Sequence, residues 1–416
     1  MDNSLFQEKK FLSLKRAGFK GNLISILLFF IVIRPIIDLF GRYEGNGLNW
    51  GGAIGFFVSF IGIFMIILRK LENGKVYYFP FYFFLIALTY FLSFCINGIR
   101  EDSIVSFGRY ITGFSAMFIL IFPLKYDIKI SKIILTYLLV TLIPIFISWL
   151  QYVGLYDYSY YDYVDGAPFG RPSGGYIQPN SLTRLLLFSI ILTYILYNKE
   201  KINTFFKYSY IIMASFTIFI SGHRTSLIIL LLILFFFEVK LNFNKFAKYI
   251  PIYLSVGGIV ISVLMFTLKD KLQDYISIYS LIFTGIFDNS GKINVRGRGV
   301  YWEKIFEVLK NNDVNQWLFG HGYSQYEAHN DILRMIVVNG LIGTVAYIGL
   351  FAYMYMFVKK RIDIFGKKVL NISFLYLILF AMPLHPTEYP HFMWMFFFTL
   401  FSLMILYPKE KEFRQY

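Results

Sequence analysis

The chain is poor in charge and almost devoid of cysteine. Charged residues make up 16% of its 416 residues, whereas a soluble globular domain carries about 25%. The one cysteine, Cys95, excludes an intrachain disulfide and leaves the redox compartment undetermined. The chain also lacks a Gly-x-x-x-x-Gly-Lys phosphate loop, a His-Glu-x-x-His zinc motif and a Gly-x-Ser-x-Gly nucleophile elbow. These absences argue against a soluble domain and against three common kinds of catalytic site.

Long apolar runs are what the sequence has instead. Hydrophobic residues make up 57% of the chain, and runs of about 18 or more apolar residues recur along it. Each run can cross ~30 Å of hydrocarbon as a helix that rises ~1.5 Å per residue. We therefore predict an all-α polytopic membrane protein, a single integral-membrane domain over residues 1–416 with about twelve transmembrane helices. The predicted spans are 21–40, 51–68, 76–98, 104–123, 133–153, 180–198, 208–221, 224–239, 249–268, 331–358, 369–386 and 390–407.

Lysine and arginine concentrate in every second connection between the predicted spans. Short loops rich in these residues stay cytoplasmic, so the pattern places both termini in the cytoplasm. The net charge of +15 is explained by this orientation, and no nucleic-acid partner is needed to account for it. The basic clusters are at 9–20, 69–75, 125–132, 199–207, 240–248, 359–368 and 409–414.

The outer connections are then 154–180, 221–225, 269–330 and 387–390. The longest, 269–330, is predicted to be one large external loop with short amphipathic helices. Its segment 275–287 is apolar and aromatic enough to lie in the membrane interface. A second segment has apolar residues at i, i+3, i+4 and i+7, which predicts a helix lying on the bilayer surface. These residues are Trp302, Ile305, Phe306 and Leu309. Because ATP is absent outside the cell, an enzyme acting there must receive its energy with the substrate.

Arg171 lies in the outer connection before the sixth predicted span, in Phe169-Gly-Arg-Pro-Ser-Gly-Gly-Tyr-Ile-Gln-Pro-Asn180. Glycines let a ligand approach the backbone closely, and Asn180 is expected to cap the helix that follows. A guanidinium beside a helix N-terminus favours an anion. The alternative is a tight loop whose arginine contacts lipid headgroups.

Arg224 lies in Ser221-Gly-His-Arg-Thr-Ser226, a short turn between two predicted spans. A cation held at that depth is costly and usually serves a function, although the side chain could instead extend outward to water. His223, beside it, is expected to be structural. We predict that Arg224, like Arg171, binds an anionic substrate.

Arg296 and Arg298 flank Gly297 in the long external loop. Two planar guanidiniums could hold a diphosphate bidentately, although basic outer loops also contact anionic lipid. One of the two arginines is expected to bind substrate, and the sequence leaves open which one.

His329 precedes Asn330 at the outer end of the tenth predicted span. An unperturbed imidazole titrates near pH ~6.5, which suits proton transfer or a hydrogen bond to a sugar hydroxyl. A lone histidine is more often structural, and only the neighbouring cations favour a functional role for His329. His321, Glu327 and Asp331 are alternative bases.

Five further charges lie within or at the ends of apolar segments. Arg34 and Asp38 are four residues apart, so they are expected to share a helical face, where they could pair. Arg109 has no partner nearby in sequence. These three charges either hold a bundle together or line a substrate cavity. Arg184 and Arg334 also lie within or at the ends of apolar segments. No outer Asp-x-Asp pair is present to hold a metal for a diphosphate, so arginines would take its place, and neither metal nor cofactor is expected.

The order of these motifs resembles the O-antigen polymerase and O-antigen ligase superfamily of bacterial cell envelopes. The resemblance covers about residues 165–350 by motif and the whole chain by topology. It departs from the family pattern at His223, where a small residue is commoner, and the presence of both Arg296 and Arg298 makes the loop match ambiguous. The residues that carry it are Arg171, Gly174-Gly175, Pro179-Asn180, Ser221-Gly222-His223-Arg224-Thr225, Phe319-Gly320-His321-Gly322, His329-Asn330, Leu333 and Gly340-Leu341-Ile342-Gly343.

The resemblance implies a multi-pass glycosyltransferase of the bacterial inner membrane with its active site facing the periplasm. Its donor would be an oligosaccharide on undecaprenyl diphosphate, whose diphosphate Arg171, Arg224 and an arginine of the long loop are expected to hold. His329 is expected near the acceptor, and Asn180 and Asn330 are secondary site residues. The implied partners are a second lipid-linked oligosaccharide, membrane lipid and a chain-length regulator protein.

The acceptor distinguishes the two activities of this superfamily. A polymerase joins repeat units, with inversion expected for a single displacement, whereas a ligase transfers the glycan to lipid A core. Richness in Ile, Phe, Tyr and Lys with little Ala is typical of AT-rich envelope-polysaccharide gene clusters, which favours the polymerase. A lipid-linked glycan flippase or transporter is the alternative from another class, and such proteins tend to have internal repeats and short loops.

Overall fold

A computed structural model of the chain describes residues 22–37, 39, 50–73, 78–121, 129–157, 171–176, 179–240, 298–324 and 330–409. Within these ranges the regular structure is helical, and the only strand-like feature is an isolated antiparallel bridge between Ile362 and Pro408. The prediction of an all-α protein is therefore confirmed for this part of the chain.

Thirteen helices are present in the described ranges, joined in places by shorter turns. A 3-10 segment, Ser115–Ile121, continues α4, a π-helical segment, Phe235–Lys240, continues α8, and a 3-10 turn, Pro386–Glu388, lies between the last two helices. The helices are α1 (Asn22–Ile37), α2 (Trp50–Asn73), α3 (Tyr78–Asn97), α4 (Glu101–Phe114), α5 (Ile130–Val153), α6 (Pro179–Asn198), α7 (Thr204–Ile220), α8 (Arg224–Leu234), α9 (Arg298–Lys310), α10 (Val314–Phe319), α11 (Asp331–Arg361), α12 (Ile364–Ala381) and α13 (Pro390–Leu406).

Six helices are long and apolar enough to cross a membrane: α3, α4 with its 3-10 continuation, α5, α6, α11 and α12. Four shorter apolar helices accompany them: α1, α7, α13 and the part of α2 between Ala53 and Ile67. The ninth predicted span, 249–268, lies outside the described residues, as do both chain termini. The count of twelve spans and the cytoplasmic termini therefore stay predictions.

Helices α6 and α13 form the centre of the bundle. Every residue of 182–196 in α6 and of 391–404 in α13 is buried. A helix that is apolar on all sides and buried on all sides must be surrounded by other helices. Aromatic rings fill the space between them; the Phe188 ring of α6 lies 4.8 Å from Tyr376 and 5.1 Å from Phe392 between centroids. The few polar residues on these two helices are therefore held deep in the protein.

Helix α11 is kinked at Gly340, whose φ of 63° places it in the left-handed region. The kink receives the segment Phe319-Gly320-His321-Gly322: the amides of His321 and Gly322 donate to the carbonyls of Val337 (2.7 Å) and Val338 (2.9 Å). A Cβ on Gly340 would lie 2.3 Å from the Leu318 carbonyl oxygen. The two glycine motifs are thus parts of one packing unit, since only glycine permits so close a backbone approach.

Helix α9 contains the predicted amphipathic stripe, but its four apolar residues do not all face the same surroundings. Ile305 and Leu309, 1% and 6% exposed, pack against Val337 of α11, whereas Phe306 is 54% exposed. Ile305 and Leu309 are four residues apart and share the face that packs on α11, whereas Phe306 lies beside that face and stays exposed. The prediction that the whole stripe lies on the bilayer is corrected accordingly.

Helix α12 ends at Ala381, earlier than the predicted boundary at 386, and the connection 382–389 leads to α13. Pro383 accounts for the early end: Met382 still has helical dihedral angles and donates to the Ile378 carbonyl, but Pro383 has no N–H to continue the helical hydrogen bonds. The connection contains one histidine, His385, and one glutamate, Glu388, and its 3-10 turn packs against both α4 and α13. This segment is longer and more polar than the sequence pattern predicts.

Candidate functional site

The structure brings the Arg171 side chain onto the turn between α7 and α8. Gly222 lies in this turn with φ of 64°, and a Cβ on it would lie 3.3 Å from Cδ of Arg171. Arg224, the first residue of α8, follows two positions later. The two predicted anion-binding arginines, which come from different connections, therefore lie at the same end of the bundle and next to the same turn.

The segment 171–176 is fixed in place by α5 and α1. The side-chain oxygen of Gln151 accepts hydrogen bonds from the amides of Ser173 (2.9 Å) and Gly174 (2.8 Å). The Tyr176 hydroxyl donates to the Pro35 carbonyl at 3.0 Å. Ser173 and Tyr176 are both buried. Arg171 therefore lies in a loop that hydrogen bonds hold in place, as a ligand-binding residue requires.

His223 stabilises the start of α8. Its Nδ1 accepts from the Ser226 amide at 3.3 Å and lies 2.6 Å from the Ser226 hydroxyl. That hydroxyl donates to Thr183 Oγ1 of α6 at 2.9 Å. His223 thus caps a helix and joins α8 to α6, in agreement with the structural role expected for it.

Arg184 lies inside the bundle beside this turn. Its side chain is fully buried in α6, with the guanidinium carbon 3.7 Å from the centroid of Tyr389 and 5.2 Å from that of Phe380. The Phe380 ring also lies 5.8 Å from His223. None of the three guanidinium nitrogens makes a hydrogen bond of ordinary geometry to any residue that the structure describes. Tyr389 is its principal electrostatic partner.

Two further basic side chains lie near Arg184. The His391 ring of α13 is 5.8 Å from Tyr389, and its Nε2 is buried without a hydrogen-bond partner in the described ranges. Arg34 of α1 lies over Trp394 at 5.0 Å. Arg34 and Arg184 are the charged groups that act electrostatically on His391. We call Arg34 and Arg184, with His391 beside them, the cationic cluster; it draws on three separate helices.

Asp38 was the predicted partner of Arg34, and it lies outside the described residues. The prediction of an Arg34–Asp38 pair therefore stays a prediction. What the structure adds is the stacking of Arg34 on Trp394, a contact between α1 and α13 that sequence spacing does not indicate.

Arg109 and Arg334 converge on one carboxylate in the connection before α13. Glu388 Oε1 lies 2.5 Å from Arg334 Nη2, and Glu388 Oε2 lies 3.0 Å from His385 Nε2 and 3.9 Å from Arg109 Nη1. Arg334 also donates to the Ser106 hydroxyl at 2.8 Å. We call Arg109, Arg334, His385 and Glu388 the Glu388 group.

Burial and charge act in opposite directions on Glu388. Burial alone would raise the pKa of its carboxyl, but Arg334, the His385 hydrogen bond and Arg109 outweigh burial and lower the pKa to about 2. The carboxylate is therefore ionised at neutral pH, and it is a weak base.

Asp331, one of the alternative bases, is engaged in bonds at both oxygens. Its Oδ1 accepts from the Thr387 hydroxyl at 2.6 Å, and its Oδ2 accepts from the Tyr347 hydroxyl. The side chain is fully buried in the first turn of α11. Asp331 is thus a structural link between α11 and the connection 382–389, and it is poorly placed to take a proton from substrate.

His321 also has a structural environment. Its Nε2 lies 2.8 Å from Asn312 Oδ1, and its backbone amide is bonded into the α11 kink. Burial lowers the pKa of the imidazole and Asp313 only partly offsets this, so the ring is neutral at pH 7. The arrangement holds the connection between α10 and α11 in place.

The two candidate asparagines have different surroundings. Asn330 caps α11, since its Oδ1 accepts from the Leu333 amide at 3.0 Å, and its Nδ2 donates to the Met382 carbonyl at 3.2 Å. Asn180 does not cap α6 as predicted, because Pro179 takes the first helical position, which proline favours. The buried Oδ1 of Asn180 has no hydrogen-bond partner among the residues with described positions.

Several predicted site residues lie outside the described residues: His329, Glu327 and Arg296. Arg298 is the first residue of α9. The expected roles of these four residues therefore stay predictions. So does the expected interfacial position of 275–287.

The cationic cluster and the Glu388 group include residues to which the sequence reading assigned no role. Arg184 could have been singled out from the sequence, because it is a charge inside an apolar span. The segment from Leu384 to His391 could also have been singled out, because two of the five histidines in the chain lie there together with Glu388. In the described part of the chain, no group of three or more His, Cys, Asp or Glu side chains is arranged to hold a metal ion.

Comparison with known proteins adds no relative. A scan against protein-family models finds no match, and a search of curated proteins finds none either. The likeness to O-antigen polymerases and ligases therefore stays a prediction from the motifs.

Proposed function

We propose that the chain is a membrane glycosyltransferase, a polysaccharide polymerase that joins undecaprenyl-diphosphate-linked repeat units on the outer face of the cytoplasmic membrane. One observation carries the proposal: Arg171 packs on Gly222, two residues before Arg224, and fully buried Arg184 contacts Phe380, which lies against His223 of the same turn. Cations from separate segments at one end of an apolar bundle suit a lipid whose anionic headgroup lies at the membrane surface.

The chemistry requires a stabilised leaving group. A hydroxyl of the acceptor sugar attacks the anomeric carbon of the donor, the carbon–oxygen bond to the diphosphate breaks, and the diphosphate leaves with the electron pair. A single displacement of this kind inverts the anomeric carbon. Fixed cations directed at the growing negative charge can lower the barrier by about 3–4 kcal/mol per group. Arg171 and Arg224 are proposed for this role, with Arg296 or Arg298 from the long loop.

The acceptor hydroxyl must lose its proton. His329 is the proposed general base, and such a group contributes a factor of about 10²–10⁴. Two carboxylates near the start of α11 are less suitable: Asp331 is bonded at both oxygens, and Glu388 is held ionised with a low pKa by Arg334.

The proposed location is the inner membrane of a bacterium, with the site facing the periplasm. The six helices that are long and apolar enough to span a membrane support membrane insertion. The proposed partners are a donor and an acceptor repeat unit, each linked to a lipid diphosphate, together with a chain-length regulator protein.

A deletion strain tests the proposal in cells. Loss of a polymerase leaves single repeat units capping the lipopolysaccharide, whereas loss of a ligase leaves intact polymer on its lipid carrier. We expect single repeats, and we expect the unaltered gene to restore the polymer. Intact polymer stranded on the carrier would contradict the polymerase assignment and favour the ligase.

A further inference from the structure

We propose that Arg184 and His391, with Asn180 one turn above Arg184 on α6, form an interior anion-binding site for the diphosphate of the lipid-linked substrate. This inference rests on the proposed function and deepens it. It adds residues to the substrate site beyond the outer pair Arg171 and Arg224.

Arg184 carries its charge into the protein interior. A guanidinium remains protonated in proteins even when buried, and this one is fully buried. Moving an ion out of water is costly even after the protein relaxes. Stacking on an aromatic ring returns only a part of that cost. The contacts with Tyr389 and Phe380 therefore leave most of the cost of burying Arg184 uncompensated.

Two other cations of the bundle, Arg334 and Lys207, are also buried, 5% and 2% exposed. Each has a carboxylate partner: Glu388 at 2.5 Å for Arg334, and Glu238 at 2.6 Å for Lys207. No described carboxylate forms such an ion pair with Arg184. The described bundle thus supplies counter-charges for Arg334 and Lys207, whereas no described residue supplies one for Arg184, which points to a bound ligand as its anion.

The chemistry of the Arg184 side chain favours a phosphate as its partner. The planar fork of an arginine matches the oxygens of a phosphate and can bind two of them at once. Buried polar atoms without partners in a native protein indicate an absent ion, water or ligand. Asn180 Oδ1 and His391 Nε2 are two more such atoms. Asn180 Oδ1 accepts hydrogen bonds and the Arg184 guanidinium donates them. Together they suit a ligand that carries both phosphate oxygens and sugar hydroxyls.

Arg184 is linked to the turn that carries the outer arginines. Phe380 contacts the Arg184 guanidinium and also lies against His223, the residue between Gly222 and Arg224. The interior site is therefore a continuation of the outer pair toward the bundle centre. We place the diphosphate between Arg184 and the Arg171–Arg224 pair, with the lipid tail directed along the bundle.

The test uses the full-length protein purified in a neutral detergent and compares Arg184→Met with Arg334→Met. Thermal unfolding is measured without ligand, with farnesyl diphosphate, and with phosphatidylglycerol as an anionic lipid headgroup. Arg184→Met should raise the unfolding temperature of the ligand-free protein, because it removes an uncompensated charge. Arg334→Met should lower it, because Glu388 loses its partner.

Farnesyl diphosphate should raise the unfolding temperature of the wild type and bind Arg184→Met at least tenfold more weakly. Arg184→Lys, which keeps the charge without the planar fork, should bind with intermediate strength. The inference is overturned if the wild type shows no diphosphate-induced shift, or if Arg184→Met keeps the full shift. It is also overturned if phosphatidylglycerol alone reproduces the shift, since the site would then hold a lipid headgroup.

Failure of this inference can be separated from failure of the proposed function. If the wild type binds farnesyl diphosphate through Arg184 but forms no glycosidic bond, the interior site stands and the polymerase assignment falls. If Arg184→Met extends glycan chains at the wild-type rate, the assignment stands and the interior site falls.

Discussion

The guanidinium carbon of Arg184 lies 3.7 Å from the centroid of the Tyr389 ring, and the His385 ring stacks on the same tyrosine at 5.5 Å. Tyr389 therefore connects the cationic cluster on α6 and α13 with the Glu388 group beside α4 and α11.

Tyr389 should hold Arg184 through its ring more than through its hydroxyl. Tyr389→Leu removes the aromatic face, so we expect farnesyl diphosphate to bind about 10- to 30-fold more weakly, in line with a loss of up to about 2 kcal/mol. Tyr389→Phe keeps the ring and should bind within about twofold of the wild type. Equal affinity in both variants would show that the ring does not position Arg184. Dissociation constants measured on purified protein decide between these outcomes.

The outer arginines should be needed for chain extension. Arg171→Ala and Arg224→Ala should each lower the rate about 10²–10³-fold, the loss expected for one preorganised charge. Lys310→Ala is the matched control, because Lys310 is an exposed cation in the last turn of α9. Polymer length on gels and membrane abundance by immunoblotting are the measurements. An unchanged length distribution in the arginine variants at normal abundance would contradict the role.

The Glu388 group should make stability depend on pH. The pKa of Glu388 in the folded protein is about 2, below its ordinary value of 4.5. The carboxylate therefore stabilises the fold fully above pH 4.5, and this contribution disappears as the pH falls toward 2. It amounts to about 3 kcal/mol at neutral pH.

Glu388→Gln provides the measurement of that contribution. The unfolding temperature of the variant should lie well below that of the wild type at pH 7, since Arg334 loses its buried partner. The difference should shrink as the pH is lowered from 4.5 toward 2. A difference in unfolding temperature that stays constant over this interval would indicate that the charge of Glu388 does not stabilise the fold.

The kink in α11 should depend on the missing side chain of Gly340. Gly340→Ala places a Cβ 2.3 Å from the Leu318 carbonyl at a positive φ, so we expect a loss of at least about 2 kcal/mol in stability. Gly108→Ala in α4 is the control, because a Cβ there meets no heavy atom within 4 Å. That substitution should stabilise the helix by about 0.5–1 kcal/mol. Similar effects of the two substitutions would show that no close contact exists at the kink.

Hydrophobic periodicity was sufficient to predict the helices. Long apolar runs with basic ends coincide with α3, α5, α6 and α11, because spanning the bilayer is a local requirement on length and polarity. Helix ends were less predictable. The end of α12 depends on Pro383, and the start of α6 depends on Pro179, which displaced Asn180 from the cap.

The contacts within the site were not predictable from spacing. Arg171 and Arg224 could be singled out because each is a cation in a short polar segment between apolar runs. Arg184 and His391 are separated by about half of the chain, and their proximity follows from the packing of α6 against α13, which no local pattern encodes. In the same way, His321 and Gly320 look like candidate site residues in the sequence, but they fit the kink at Gly340.

Product analysis with purified protein tests the central claim most directly. The full-length chain is reconstituted in liposomes with one defined repeat unit on undecaprenyl diphosphate, and glycans and released lipid are quantified by mass spectrometry. We predict oligomers that grow by whole repeats, with one undecaprenyl diphosphate released for each new glycosidic bond. Movement of the lipid-linked repeat across the bilayer without any new glycosidic bond would contradict the account and identify a transporter.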